Sequence, residues 1–202
     1  MTRIAQEDSP AKEKLLQAAQ QLMLTKGFTA TTVDDICEAA KLTKGSFFHY
    51  FESKEDLGQA VLKYFFNGMQ QKMQEAPFLK EADPLKRVYG YVDFIIQMSQ
   101  DPRAPKSCLV GNFAQELSNT HSEIRTSCAR MFSQWADGFK RELDDARVKY
   151  VPSKSIDTRS LADHLIAVLE GGLILAKAKQ DQGIMKENLL HYKQYLKGLF
   201  QK

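Results

Sequence analysis

The sequence predicts an all-α chain of about nine helices. Three observations predict it. Apolar residues recur every three or four positions through most of the 202 residues. Period-two alternation is nearly absent. Gly, Pro and capping residues interrupt the pattern at helix-length intervals. At 43% hydrophobic and 26% charged, the chain can bury a sizeable core.

The first helix is expected over 10–26, with Leu15, Ala19, Leu22 and Met23 on one face. Ser9 is placed to cap it, Pro10 suits its first turn and Gly27 stops it. A second helix over 33–40 carries Val33, Ile36, Cys37 and Ala40 on one face, behind Thr32 as N-cap. Asp34 and Asp35 complement its dipole. Lys41-Leu42 allows only a tight turn before a third helix over 44–50, capped by Thr43. Ser53 caps a longer fourth helix, and Asp56 three residues on imitates a capping box. Pro84 opens a fifth, with Val88, Tyr91, Val92, Ile95 and Ile96. After the loop 101–105, a sixth over 107–118 begins with Cys108. A long amphipathic seventh spans 122–147, and "VKYVPSKSID" reads as a linker. The pair 158–180 and 186–201 closes the chain. The first of this pair is apolar on more than one face, which predicts a subunit interface.

Helices two and three, joined by so short a turn, have the helix-turn-helix layout. Five consecutive rings, Phe47 to Phe51, run from the third helix into the residue that follows it. At about 100° per residue, Phe47, Tyr50 and Phe51 share one face, while Phe48 and His49 share the other with Gly45 and Ser46. On the first face Phe47 and Phe51 are expected in the core, with Tyr50 shared between core and edge. The second is too polar for a core and too aromatic for idle surface. In a helix-turn-helix the second helix enters the major groove by its N-terminal residues. Thr43, Lys44, Gly45 and Ser46 occupy that place. Lys44 offers a cation, Gly45 a close backbone approach, and His49 a polar ring. Lys54, in the first turn of the next helix, is expected at a phosphate. Residues 1–60 hold seven basic and nine acidic side chains. Binding is therefore expected through local donors and not through a basic field.

Other classes find little support. No P-loop follows a strand, and no GxGxxG is present, so no cofactor is expected. His49, His121, His164 and His191 lie too far apart for a metal motif, and no metal is expected. The first residues lack an apolar signal core, and no run approaches the roughly 20 apolar residues of a membrane span. Three scattered cysteines argue against a disulfide framework, and the reading is cytoplasmic.

The string "TVDDICEAAKLTKGSFFHYFESKEDL" (32–57) closely resembles the DNA-binding signature of TetR/AcrR-type transcriptional regulators. The preceding "LLQAAQQLMLTKGFTATT" resembles their first helix. The resemblance implies a helix-turn-helix DNA-binding domain over 1–52 and a helical regulatory and dimerisation domain over 53–202. It implies a homodimer, paired through 158–180 and 186–201, on a palindromic double-stranded operator. By position it carries over a DNA-facing set of Thr32, Thr43, Lys44, Gly45, Ser46, Phe48, His49, Tyr50 and Lys54. There is one departure: the family commonly keeps Tyr where this chain has Phe48, so one phosphate hydrogen bond is missing.

"KSCLVGNFAQELS" (106–118) resembles the cysteine-bearing branch that contains the N-ethylmaleimide reductase repressor. That resemblance implies an electrophile or oxidant sensor at Cys108, with Lys177 as an assisting cation. Its place at a helix start, with Arg103 and Lys106 near in sequence, favours thiolate. A buried small hydrophobe is the competing reading of Cys108. Cys37 and Cys128, on apolar faces, are expected to be structural. A conventional effector pocket is the other route to release, walled by Phe94, Met98, Phe113, Met131, Trp135 and Phe139, which also suit an ordinary core. The alternative from another class is a helical thiol-dependent enzyme or ligand-binding protein using Cys108.

Overall fold

The computed structural model describes residues 9–201. Residues 1–8, part of the expected 1–52 domain, lie outside them. The described residues form nine α-helices and one short 3₁₀ segment. These are α1 (Pro10–Lys26), α2 (Val33–Ala40), α3 (Lys44–Tyr50), α4 (Lys54–Gln74), α5 (Pro84–Gln100), α6 (Leu109–Leu117), α7 (Ser122–Tyr150), α8 (Thr158–Lys179) and α9 (Gly183–Phe200). The 3₁₀ segment is Pro77–Lys80, between α4 and α5.

Packing divides the chain into two compact units. Of the described residues, one comprises 9–70 and 108–129, the other 71–107 and 130–201. Helices α4 and α7 each contribute to both.

In the first unit α1 packs on α2 and α3, α2 on α3, and α6 on α1. The local signals explain the three short helices. Ser9 caps α1 by accepting from the Ala11 amide, and Gly27 ends it at φ 85°. That left-handed value favours glycine over any residue with a Cβ. Thr32 and Asp35 form a reciprocal capping box on α2. Lys41 then turns the chain at φ 55°, and its amide and that of Leu42 return to the carbonyls of Glu38 and Cys37. Two residues therefore suffice between α2 and the cap of α3. Phe47 and Phe51 are buried, as are Leu15, Met23, Ile36, Leu57 and Leu62.

In the second unit α8 packs on α9, and α9 on α5. Its core includes Phe78, Tyr91, Ile95, Phe139, Leu143, Leu165, Leu189 and Tyr192. Polar groups at its edge are satisfied in groups. Asp83 caps α5 through the amides of Leu85 and Lys86, and also accepts from Lys149 and Tyr150. Arg87 joins Glu142 at 2.5 Å and Asp145 at 2.8 Å.

Three boundaries differ from expectation. Helix α6 starts at Leu109, because Cys108 is extended (φ −96°, ψ 124°) and acts as the N-cap. Helix α7 runs on to Tyr150, where Lys149 and Tyr150 are anchored on Asp83, so the linker is shorter. Helix α9 begins at Gly183, three residues early, after a turn in which the Asp181 carboxylate accepts from the Gly183 amide.

Candidate nucleic-acid interface

Helix α3 presents the two faces expected of it. Phe47 is fully buried and Phe51 nearly so. Thr43, Lys44, Gly45, Phe48 and His49 are exposed, and Ser46 and Tyr50 are half-buried. The Thr43 hydroxyl accepts from the Ser46 amide at 3.1 Å and fixes the start of the helix. Thr32 does the same for α2, accepting from the Asp35 amide at 3.1 Å. Asp35 in turn accepts from the Thr32 amide at 2.8 Å and from Lys26 at 2.7 Å. The Lys26 ammonium, followed by these bonds from Thr32, holds the Asp35 carboxyl well below the usual carboxylate range.

The exposed side chains are available in different degrees. The Lys44 ammonium meets Asp34 at 2.8 Å, and both side chains are more than half exposed. The hydrogen bond to Asp34 raises the Lys44 pKa. A solvent-bathed pair of this kind is worth little and exchanges readily for a phosphate. At Gly45 a Cβ would meet only the Thr43 hydroxyl, at 3.7 Å, an ordinary contact. The fold does not require glycine there. Phe48 is 57% exposed, with its ring edge-on to Phe47 at 5.1 Å. The His49 ring lies edge-on to Tyr50 at 4.7 Å. The Tyr50 hydroxyl bonds Ser9 at 2.7 Å and ties α3 to the cap of α1.

Lys54 is the member whose charge is directed inward. Its ammonium donates to the carbonyls of Phe28 and Thr31 at 3.2 and 3.1 Å and lies 4.4 Å from the centre of the Phe28 ring. It closes the loop between α1 and α2. Glu116, which sequence reasoning missed, closes the same loop from α6. Its carboxylate accepts from the amides of Phe28 at 2.9 Å and Thr29 at 2.7 Å. Burial opposes its charge, but the bonds from Thr29 and Phe28 and the charge of Lys54 outweigh that and lower its pKa. The partners lie 87 and 88 positions apart, so no local pattern could reveal them.

The candidate effector residues fall in both units. Phe139 belongs to the buried core of the second, and Phe94, Met98 and Trp135 are partly buried against that core. There the Trp135 ring donates to the Tyr91 hydroxyl at 3.0 Å, and Tyr91 lies 4.5 Å from Phe139. Met131 is buried in the second unit, and Lys177 is exposed in the last turn of α8. Phe113 is buried in the first unit, edge-on to Phe28 at 5.4 Å. Cys108 is half-buried at the start of α6, its sulfur 3.5 Å from the Gly111 amide that it accepts from. Arg103, expected to favour the thiolate, pairs with Asp101 at 3.1 Å. Cys37 and Cys128 are buried, and burial raises both thiols, Cys128 to about 11. A thiol held protonated is a poor nucleophile, which suits packing. Among the described residues no group of three or more acidic, His or Cys side chains is arranged to hold a metal ion. No described helix is long and apolar enough to cross a membrane.

Comparison with known proteins decides the family. Residues 15–61 match the model of bacterial regulatory proteins of the tetR family, and residues 84–191 match the tetracyclin repressor-like C-terminal domain. The chain belongs to the TetR family. It is therefore a helix-turn-helix, DNA-binding transcriptional regulator. It is 30% identical to the HTH-type transcriptional repressor DhaR of a Mycobacterium species over 174 residues, 86% of either chain. It is 24% identical to the repressor NemR of Escherichia coli over 182 residues, 90% of this chain and 92% of that one. An identity of 24% carries the TetR fold and not the cysteine-bearing branch. Among solved structures, a regulatory protein TetR from Rhodobacter sphaeroides superposes with a TM-score of 0.81 at 25% identity, covering 92% of this chain and 98% of the other. These relatives are named as regulators, not enzymes.

Proposed function

We propose that this TetR-family chain is a homodimeric repressor that binds a palindromic operator and is released by a small-molecule, electrophile or oxidant signal. One observation carries the DNA contact. The outer face of α3 exposes Lys44, Gly45, Phe48 and His49 while Phe47 and Phe51 on its inner side are buried to within a few per cent. Gly45 is not needed by the fold, so its reason lies in what approaches it from outside. Thr32, Thr43, Ser46 and Tyr50 set the caps and the edge of that face, and Lys54 supports it from within.

Pairing through α8 and α9 is supported by their second faces. Ile174, Leu175, Leu190 and Tyr195 stay exposed while Leu165, Leu169, Leu189 and Tyr192 fill the core. A second copy is the cover that a closed symmetric dimer supplies. A sensing role for Cys108 is supported by its partial exposure and its place at a helix start. The names of the relatives support repression, and work on DNA supports a cytoplasmic location.

The test is selection of bound duplexes from a random pool, followed by gel shift and sedimentation. Expected are a palindromic site, a dimer, and weaker binding by Lys44→Ala and His49→Ala with unchanged folding. Full affinity in both variants overturns the assignment of α3. A monomer that persists at high concentration overturns the pairing.

A further inference from the structure

The first unit exposes one large apolar side chain among its described residues, and it is Phe48. The other exposed large apolar residues, Leu79, Val148, Ile174, Leu175, Leu190 and Tyr195, all belong to the second unit. The Phe48 ring is not a loose surface group. It stands edge-on to Phe47, at 5.1 Å between ring centres and 78° between planes, and Phe47 is wholly buried. The direction of the exposed ring is therefore set from inside the unit. It shares the outer face of α3 with Lys44 and Gly45, four and three residues before it, and with His49, which follows it.

A phenyl ring has neither donor nor acceptor, so it gains nothing from a phosphate oxygen. Pressed on most base edges, it would strip water from polar atoms and leave them unpaired. The major groove offers one apolar group that suits it, the C5-methyl of thymine. Resting on the proposed contact of α3 with DNA, we infer that Phe48 reads a thymine methyl in each operator half-site and so sets a base preference there. The absent hydroxyl exchanges a phosphate anchor for a base-reading contact.

The experiment uses the full-length protein and the duplex it selects from a random pool. Each thymine of the half-site is replaced in turn by deoxyuridine, which removes only the methyl group. Affinity is measured for the wild type and for Phe48→Ala, with folding checked by circular dichroism. At one position per half-site, uracil should weaken the wild type about fourfold, the worth of one buried methyl. Phe48→Ala should bind thymine and uracil duplexes equally. At that same position 5-methylcytosine should bind the wild type more tightly than cytosine. Should Phe48→Ala misfold, Phe48→Gln keeps the bulk without the apolar contact and must show the same indifference. Uracil tolerated at every position, or an equal loss in the variant, overturns the inference and leaves the DNA contact standing. If no duplex is selected at all, the DNA contact of α3 fails and the inference fails with it.

Discussion

Replacing Glu116 by Gln tests whether α6 helps to hold the helix-turn-helix unit in shape. The wild-type carboxylate takes one backbone amide on each oxygen, Phe28 at 2.9 Å and Thr29 at 2.7 Å. Gln offers one oxygen and turns an NH₂ toward the second amide, so one bond is lost and a repulsion gained. A sheltered hydrogen bond to a charged group contributes about 1.5–3 kcal/mol. Glu116 is exposed, and screening by solvent reduces that. A carboxylate that caps a helix in comparable surroundings contributes about 1 kcal/mol. The expected cost of Glu116→Gln is about 1–2 kcal/mol, or a melting temperature lower by about 2–8 °C for a chain of this size. The pH dependence supplies an independent check. The Glu116 pKa is lower in the folded state than in the unfolded one. Its contribution is thus fully present above the unfolded value of about 4.3 and is lost as pH falls through the folded value. The gap between wild type and variant, followed by urea unfolding, should be flat near neutrality and close in acid. A variant as stable as the wild type at pH 7, or a gap that persists in strong acid, would refute the reasoning.

Gly27→Ala should be destabilised by about 1–3 kcal/mol by thermal melting, because its φ is 85° and its Cβ would lie 2.9 Å from the Glu116 carboxylate. Gly45→Ala should do the reverse and gain about 0.5–1 kcal/mol of stability as a helical alanine with room around it, while losing affinity in a gel shift. Lys54→Ala should lower stability by about 1–2 kcal/mol, since the carbonyls of Phe28 and Thr31 lose their donor. If it instead left melting unchanged and weakened binding equally to all DNA sequences, Lys54 would be a phosphate contact. Cys108→Ser should bind the operator as the wild type does but resist release by N-ethylmaleimide, and a fully retained response would acquit Cys108.

The helix-turn-helix unit was legible because its information is local. Ser9, Thr32 and Thr43 cap the helices that directly follow them, Gly27 ends α1, and a period of 3.6 residues divides the rings of α3 between two faces. Boundaries failed where a distant partner decided them. Asp83 extends α7 to Tyr150 from 67 positions away. The roles of Lys54 and Glu116 were hidden for the same reason. Nothing local to Lys54 reveals that the carbonyls of a loop 23 and 26 positions earlier take its ammonium.

The sequence by itself determined the helices, the helix-turn-helix order and the outward face of α3, because caps and periodicity act within a few residues. The tertiary structure alone decided which charges remain available on that face. An ammonium or carboxylate serves whichever partner the fold brings within 3 Å, and chain position does not encode that distance. Lys44 stays with an exposed aspartate it can leave, whereas Lys54 turns inward to complete the unit that presents it.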